Sequence, residues 1–193
     1  DVGVRFTPTT NEMALNQDVF WLPNSIEQGE QWSALPDDSR VWLHCANRVL
    51  MDAEATQLAQ GIQAFLAEWS AHGQSLEASW RLEGRRCLMV ALNERSADAT
   101  GCSIDKLVHW LQGFKGNEGE VALHWMERNQ VVYNKVSNQG WQEDSLQRFW
   151  VLRKAKAIDD STLVVNTVLQ SKFECEPSLV VPFGQSWHAE AWR

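Results

Sequence analysis

Ala78-Ser79-Trp80-Arg81-Leu82-Glu83-Gly84-Arg85-Arg86-Cys87-Leu88-Met89-Val90-Ala91-Leu92 reads as two strands joined by a tight turn at Glu83-Gly84. The first strand mixes polar and apolar side chains. The second is an almost unbroken apolar run, the mark of a central strand. A strand–turn–strand unit of this kind, flanked by helical patterns on both sides, decides the fold class.

On its N-terminal side lies a helix. Leu58, Ile62, Phe65, Leu66 and Trp69 recur at helical spacing, with Asp52 as the cap. His72 suits the negative end of that helix and Gly73 stops it. Ahead of the helix, Val41-Trp42-Leu43-His44-Cys45 reads as a strand. On the C-terminal side, Gly101-Cys102-Ser103 opens a second helix, capped by Ser103 and carrying Ile104, Leu107, Val108 and Leu111 on one face. Residues 121–126 and 131–136 then read as a further hairpin about Arg128-Asn129. The order strand–helix–strand–strand–helix–strand is that of an α+β, ferredoxin-like split βαβ sandwich, with two helices over one sheet face. Residues 1–36, broken by Pro8, Pro23 and Pro36, read as an irregular N-terminal arm. Residues 37–140 are the core domain. Residues 141–193 are a C-terminal α/β extension, with a helix over 145–157 and a strand at Leu163-Val164-Val165.

The composition is that of an ordinary globular chain, 193 residues with 44% hydrophobic and 22% charged. No apolar run reaches the ~18 residues of a membrane helix, and no signal peptide is visible at the start. The formal charge of −8 opposes broad binding to nucleic acid or an acidic membrane. Four cysteines at 45, 87, 102 and 175 form no C-x-x-C pair. They fit reduced thiols in a cytoplasmic protein, or two disulfides if the chain is exported. Eleven tryptophans stand against one tyrosine. They either fill the core or mark a partner surface.

The candidate chemistry is sparse. A helix start carries free amides and partial positive charge, so Gly101, Cys102 and Ser103 could hold an anion and activate the Cys102 thiol. Asp105 in the same first turn opposes thiolate formation. His188, between Trp187 and Ala189, is a candidate base; on a strand it would share a face with Ser186. The plain alternatives are a packed turn residue at 102 and an anchoring histidine at 188. His44, His72, His109 and His124 show no ligand spacing, so no metal or other cofactor is expected. Gly113 to Gly119 matches no phosphate loop. Arg148, Arg153, Lys154 and Lys156 form a basic stretch, either a solvated helix face or a docking site for an acidic partner or RNA.

Four segments carry a resemblance: residues 35–42 (LPDDSRVW), 65–73 (FLAEWSAHG), 99–105 (ATGCSID) and 181–188 (VPFGQSWH), with looser matches at Val165-Asn166 and Lys172. Together they resemble a small bacterial family of Bacteroidetes type whose members often carry the label ABC transporter ATPase. The resemblance spans about residues 35 to 192. It departs in the longer arm of residues 1–34 and in Glu190, where the family has arginine. The chain has no P-loop and so lacks the parts that ATP hydrolysis of that type uses. The resemblance therefore implies a fold and a cytoplasmic setting but no activity. The expectation is a soluble binding or assembly protein, not an ATPase, with a protein partner or a second copy meeting Trp21, Trp32, Arg153 and Lys154. The alternatives are a small hydrolase or transferase using a Cys102, Asp105 and His188 pocket, and an RNA- or ribosome-associated factor.

Overall fold

The computed structural model describes residues 25–116, 121–134 and 141–191. The quoted hairpin forms as β5 (Ala78–Glu83) and β6 (Cys87–Leu92), antiparallel in a register that sets Ala78 opposite Leu92 and Glu83 opposite Cys87. Gly84 and Arg85 both take positive φ, 61° and 51°. That is the tight turn whose twist suits a hairpin, and glycine makes its first position easy. The sheet is completed by β1 (Ile26–Gln28) on β5 and β2 (Arg40–Cys45) on β6, giving the order β1–β5–β6–β2 with every pair antiparallel.

All six residues of β6 are buried because both faces of this sheet are covered. Leu82, Leu88, Val90, Leu92 and Trp80 face α1 (Asp52–Glu68) and α2 (Gly101–Gly113), where they meet Leu58, Ile62, Leu107 and Leu111. Val41, Cys45, Cys87, Met89 and Ala91 point the other way. Period-two alternation assigns neighbouring residues to opposite faces. Trp42 and Phe65 pack on Trp69, and Trp110 stacks on Phe65 at 5.4 Å. These aromatics fill the helix–sheet layer.

The second face is covered by another sheet. β7 (Gln130–Asn134), β8 (Trp141–Ser145), β9 (Leu163–Val165) and β10 (Val180–Pro182) run in the order β10–β9–β7–β8, again antiparallel. Val132 and Val165 reach the shared layer beside Cys45, Cys87 and Met89. Val131, Tyr133 and Val164 turn outward under α3 (Leu146–Lys154), where Phe149 sits 4.9 Å from Tyr133. The architecture is four layers: helix, sheet, sheet, helix. Two further elements are α4 (Lys172–Ser178) and the short α5 (Trp187–Ala191).

Several expectations are corrected. Residues 121–126 do not form a hairpin with 131–134; residues 135 and 136 of that expected strand lie outside the described residues. The 121–126 stretch crosses the end of β2 through one bridge, Ala46 to Trp125, with the Met126 amide donating to the Cys45 carbonyl at 2.8 Å. β7 pairs instead with β8, so a boundary at residue 140 falls inside the second sheet. Gly73 does not end α1, which stops at Glu68. His72 and Gly73, with φ of 50° and 78°, turn the small hairpin of β3 (Ser70–Ala71) and β4 (Gln74–Ser75). Ser186 and His188 lie at the start of a helix, not on a strand. Among the described residues no helix is long and apolar enough to cross a membrane.

Candidate functional site

The helix start at 101–103 is partly taken up by the chain itself. Thr100, not Ser103, is the cap of α2: its hydroxyl accepts from the Ser103 amide at 3.2 Å, and the Thr100 amide donates to Ser103 Oγ at 2.8 Å. This reciprocal box satisfies two donors that an anion would need. Ser103 is buried, and its carbonyl accepts from Trp69 Nε1 at 2.8 Å. Cys102 and Asp105 are exposed on the outer side of α2.

His188 belongs to the opposite outer layer. Its ring lies 5.9 Å from Phe149 and 4.0 Å from Trp187, and it is 1% exposed. Burial lowers its pKa to about 4, so it is neutral at physiological pH. The expected Cys102, Asp105 and His188 pocket is not assembled, because two sheets separate the helix layers that carry them.

The partner residues are also redistributed. Trp21 lies outside the described residues. Trp32 is 3% exposed and packs between the sheets, where an apolar ring gains most from leaving water. Arg153 is spent on the protein: it donates to the Ile158 carbonyl at 3.0 Å and to Asp160 at 2.6 Å, and it lies over the Phe183 ring at 4.7 Å. Lys154 rests on Trp150 at 4.9 Å. Among the described residues no group of three or more His, Cys, Asp or Glu side chains is placed to hold a metal ion.

A site that sequence spacing did not reveal lies where three distant segments meet. Gln28, Trp32, Ser33, Asp37, Arg81, Lys172 and Phe173 line a cleft of about 600 Å³. Its construction follows from strand alternation and one cap. Arg81 sits on the face of β5 opposite Trp80 and Leu82, at the rim of the inter-sheet layer. Ser171 and Glu174 form a capping box: the Gln170 and Ser171 amides donate to Glu174 Oε2 at 2.8 and 3.0 Å, which starts α4. The hydrogen bonds to those two amides hold the Glu174 carboxyl below its usual range. The chain before β2 then runs against this start. The Lys172 amide donates to the Ser39 carbonyl and the Phe173 amide to the Asp37 carbonyl, both at 2.9 Å. Lys172 and Phe173 are thereby fixed beside β1.

The cleft brings Arg81, Lys172 and Asp37 together beside the Phe173 ring. Arg81 donates to Glu83 and to Gln28, each at 3.3 Å. Lys172 Nζ donates to the Leu35 carbonyl at 2.8 Å and reaches Asp37 at 3.5 Å. Phe173 is 69% exposed. Such an arrangement can take a carboxylate between the two cations and an apolar group against the ring. The Ser171-x-x-Glu174 pattern was the available sequence signal; it marks the start of α4 but not what stands across from it. In comparisons with known proteins, the chain matches no family model, no curated protein and no solved structure.

Proposed function

We propose that this chain is a binding or assembly protein, and that the cleft between β1 and α4 holds an acidic, extended segment of a partner protein. The observation that carries this reading is the convergence of Arg81 and Lys172 beside the exposed Phe173. β1 supports it: the strand pairs with β5 on one side and, among the described residues, has no strand on the other. An extended segment can add to such an edge through its main chain, while side-chain pockets supply selectivity. The net charge of −8 favours no acidic partner overall, so the two cations must act locally. On the same footing we read β2, α1, β5 and β6 as the split βαβ half of a ferredoxin-like sandwich, with β6 inserted between two parallel strands. The likeness to the small bacterial family, and the cytoplasmic setting it implies, are part of this reading.

The test uses a short, acetylated and amidated peptide alternating Glu and Val, labelled for fluorescence anisotropy, and a Lys/Val counterpart. Saturable binding of the acidic peptide alone is expected, weakened at least about tenfold by Lys172→Glu, equivalent to about 1.4 kcal/mol. Equal behaviour of the two peptides, or indifference to Lys172→Glu, would overturn the reading.

A further inference from the structure

Cys45 and Cys87 are directly opposite one another on β2 and β6, with Sγ atoms 2.8 Å apart and both side chains buried. The next pair along, Ala46 and Arg86, is joined by the Ala46 amide donating to the Arg86 carbonyl at 2.9 Å. Hydrogen-bonded and non-hydrogen-bonded pairs alternate along an antiparallel ladder, so Cys45 and Cys87 occupy a non-hydrogen-bonded pair. In such pairs the Cα atoms approach to about 4.5 Å, inside the range a disulfide spans. Neither thiol has to leave its strand for the two sulfurs to bond.

The surroundings also suit sulfur chemistry. The Arg86 guanidinium stands beside the pair, held by the Ala46 carbonyl at 2.8 Å and the Asn47 carbonyl at 2.9 Å. A fixed cation next to a thiol favours its thiolate. Burial pushes the Cys87 thiol the other way. Cys45 ends its strand, at the edge of the sheet, and is 5% exposed where Cys87 is 0%. The first attack therefore falls to Cys45. The remaining cysteine of this layer, Cys175, donates to the Ser171 carbonyl at 3.6 Å. Cys102 stands apart on the surface of α2.

We propose that Cys45 and Cys87 form a redox-active dithiol, converted by hydrogen peroxide to a cross-strand disulfide inside the sheet. The Cys45 thiolate attacks one peroxide oxygen and the O–O bond breaks. This gives a sulfenic acid at Cys45 and a hydroxide, which takes up the proton Cys45 released and leaves as water. The Cys87 sulfur attacks the sulfenic sulfur and the S–O bond breaks. The departing oxygen takes the Cys87 proton and leaves as a second water. Two thiols lose two electrons and one peroxide gains them. A dithiol reductant reverses the change.

The experiment uses the full chain carrying Cys102→Ser, which removes the exposed thiol and leaves the core intact. The folded protein is exposed to hydrogen peroxide for a period calibrated by complete oxidation of Cys102 in the unaltered chain. It is then quenched, unfolded, alkylated with iodoacetamide and analysed by intact mass and peptide mapping. Two of the three cysteines left from the original four should escape alkylation. The peptides containing Cys45 and Cys87 should be joined, and dithiothreitol should restore alkylation at both. A second variant, Cys87→Ala in the same background, should trap the Cys45 sulfenic acid as its dimedone adduct. The parent measurement decides by itself if that variant does not fold. Full alkylation of Cys45 and Cys87 after exposure would overturn the proposal, as would linkage to Cys175 or stable sulfinic acid at Cys45.

Discussion

Two charged centres show how the same residue types serve different ends. At the start of α1, Glu54 is 0% exposed and takes Arg48 in both arms, at 2.7 and 2.8 Å, with the Met51 amide at 2.9 Å on the same carboxylate. Arg48 goes on to the Val121 carbonyl at 2.9 Å. Glu54 is fully enclosed, while Arg48 keeps 18% of its side chain exposed. In the cleft, Arg81 reaches Glu83 at 3.3 Å and Lys172 reaches Asp37 at 3.5 Å, and one wall is an exposed ring. The first centre ties segments together. The second has longer contacts and lines a cleft, with the Asp37 carboxylate exposed beside Lys172.

The strongest way to break that comparison is to remove Glu54. Glu54→Ala leaves the partly exposed Arg48 guanidinium without its carboxylate, at a cost of about 3 kcal/mol, the low end for a buried pair. Urea unfolding should show a loss of that size. A loss below about 1 kcal/mol would mean the pair is no more structural than an exposed one.

A smaller effect is read through pH. Burial lowers His188 to about 4, and burial with the nearby Arg128 lowers His44 to about 4. Both stand near 6.5 when unfolded. Between those values the unfolded chain binds more protons, so stability is full above about pH 6.5 and is lost as pH falls toward 4. The loss should be on the order of 2 kcal/mol for a buried histidine. His188→Gln should flatten the slope of unfolding free energy against pH in that window. An unchanged slope would show that His188 protonates as readily in the folded protein as in the unfolded one.

The two sheets were unequally legible. The β5–β6 hairpin and α1 announced themselves because their signals are local: a glycine turn, an apolar run, a helical stripe. The unbroken run from Cys87 to Leu92 also carried the fact that both faces are covered. It could not say by what, since a helix and a second sheet satisfy the same apolar side chains. Tyr133 and Val164 are opposite one another on β7 and β9 although some thirty positions apart, a pairing that no short-range pattern encodes. The candidate site failed for the same reason. Gly101-Cys102-Ser103 stood out because a helix start is visible in sequence, but Thr100 one residue earlier takes up the Ser103 amide, and His188 lies in the opposite outer layer. Arg81 and Lys172 are ninety-one positions apart and become neighbours only once the sheets stack.

The smallest effect on stability carries the most weight for function. Phe173 is 69% exposed and Val151 is 56% exposed, so both give up little burial on truncation. Phe173→Ala and Val151→Ala should each change unfolding free energy by less than about 0.5 kcal/mol, as surface substitutions do. Their effects on the acidic peptide should nonetheless diverge. An aromatic anchor at a binding site costs at least about 1–2 kcal/mol when truncated, whereas an uninvolved apolar residue costs nothing. Phe173→Ala should therefore weaken the peptide about tenfold or more, with Val151→Ala indistinguishable from the unaltered chain. If the two variants bind alike, exposure alone accounts for Phe173, and the contrast between the tight centre at Glu54 and the looser one at Lys172 loses its functional meaning.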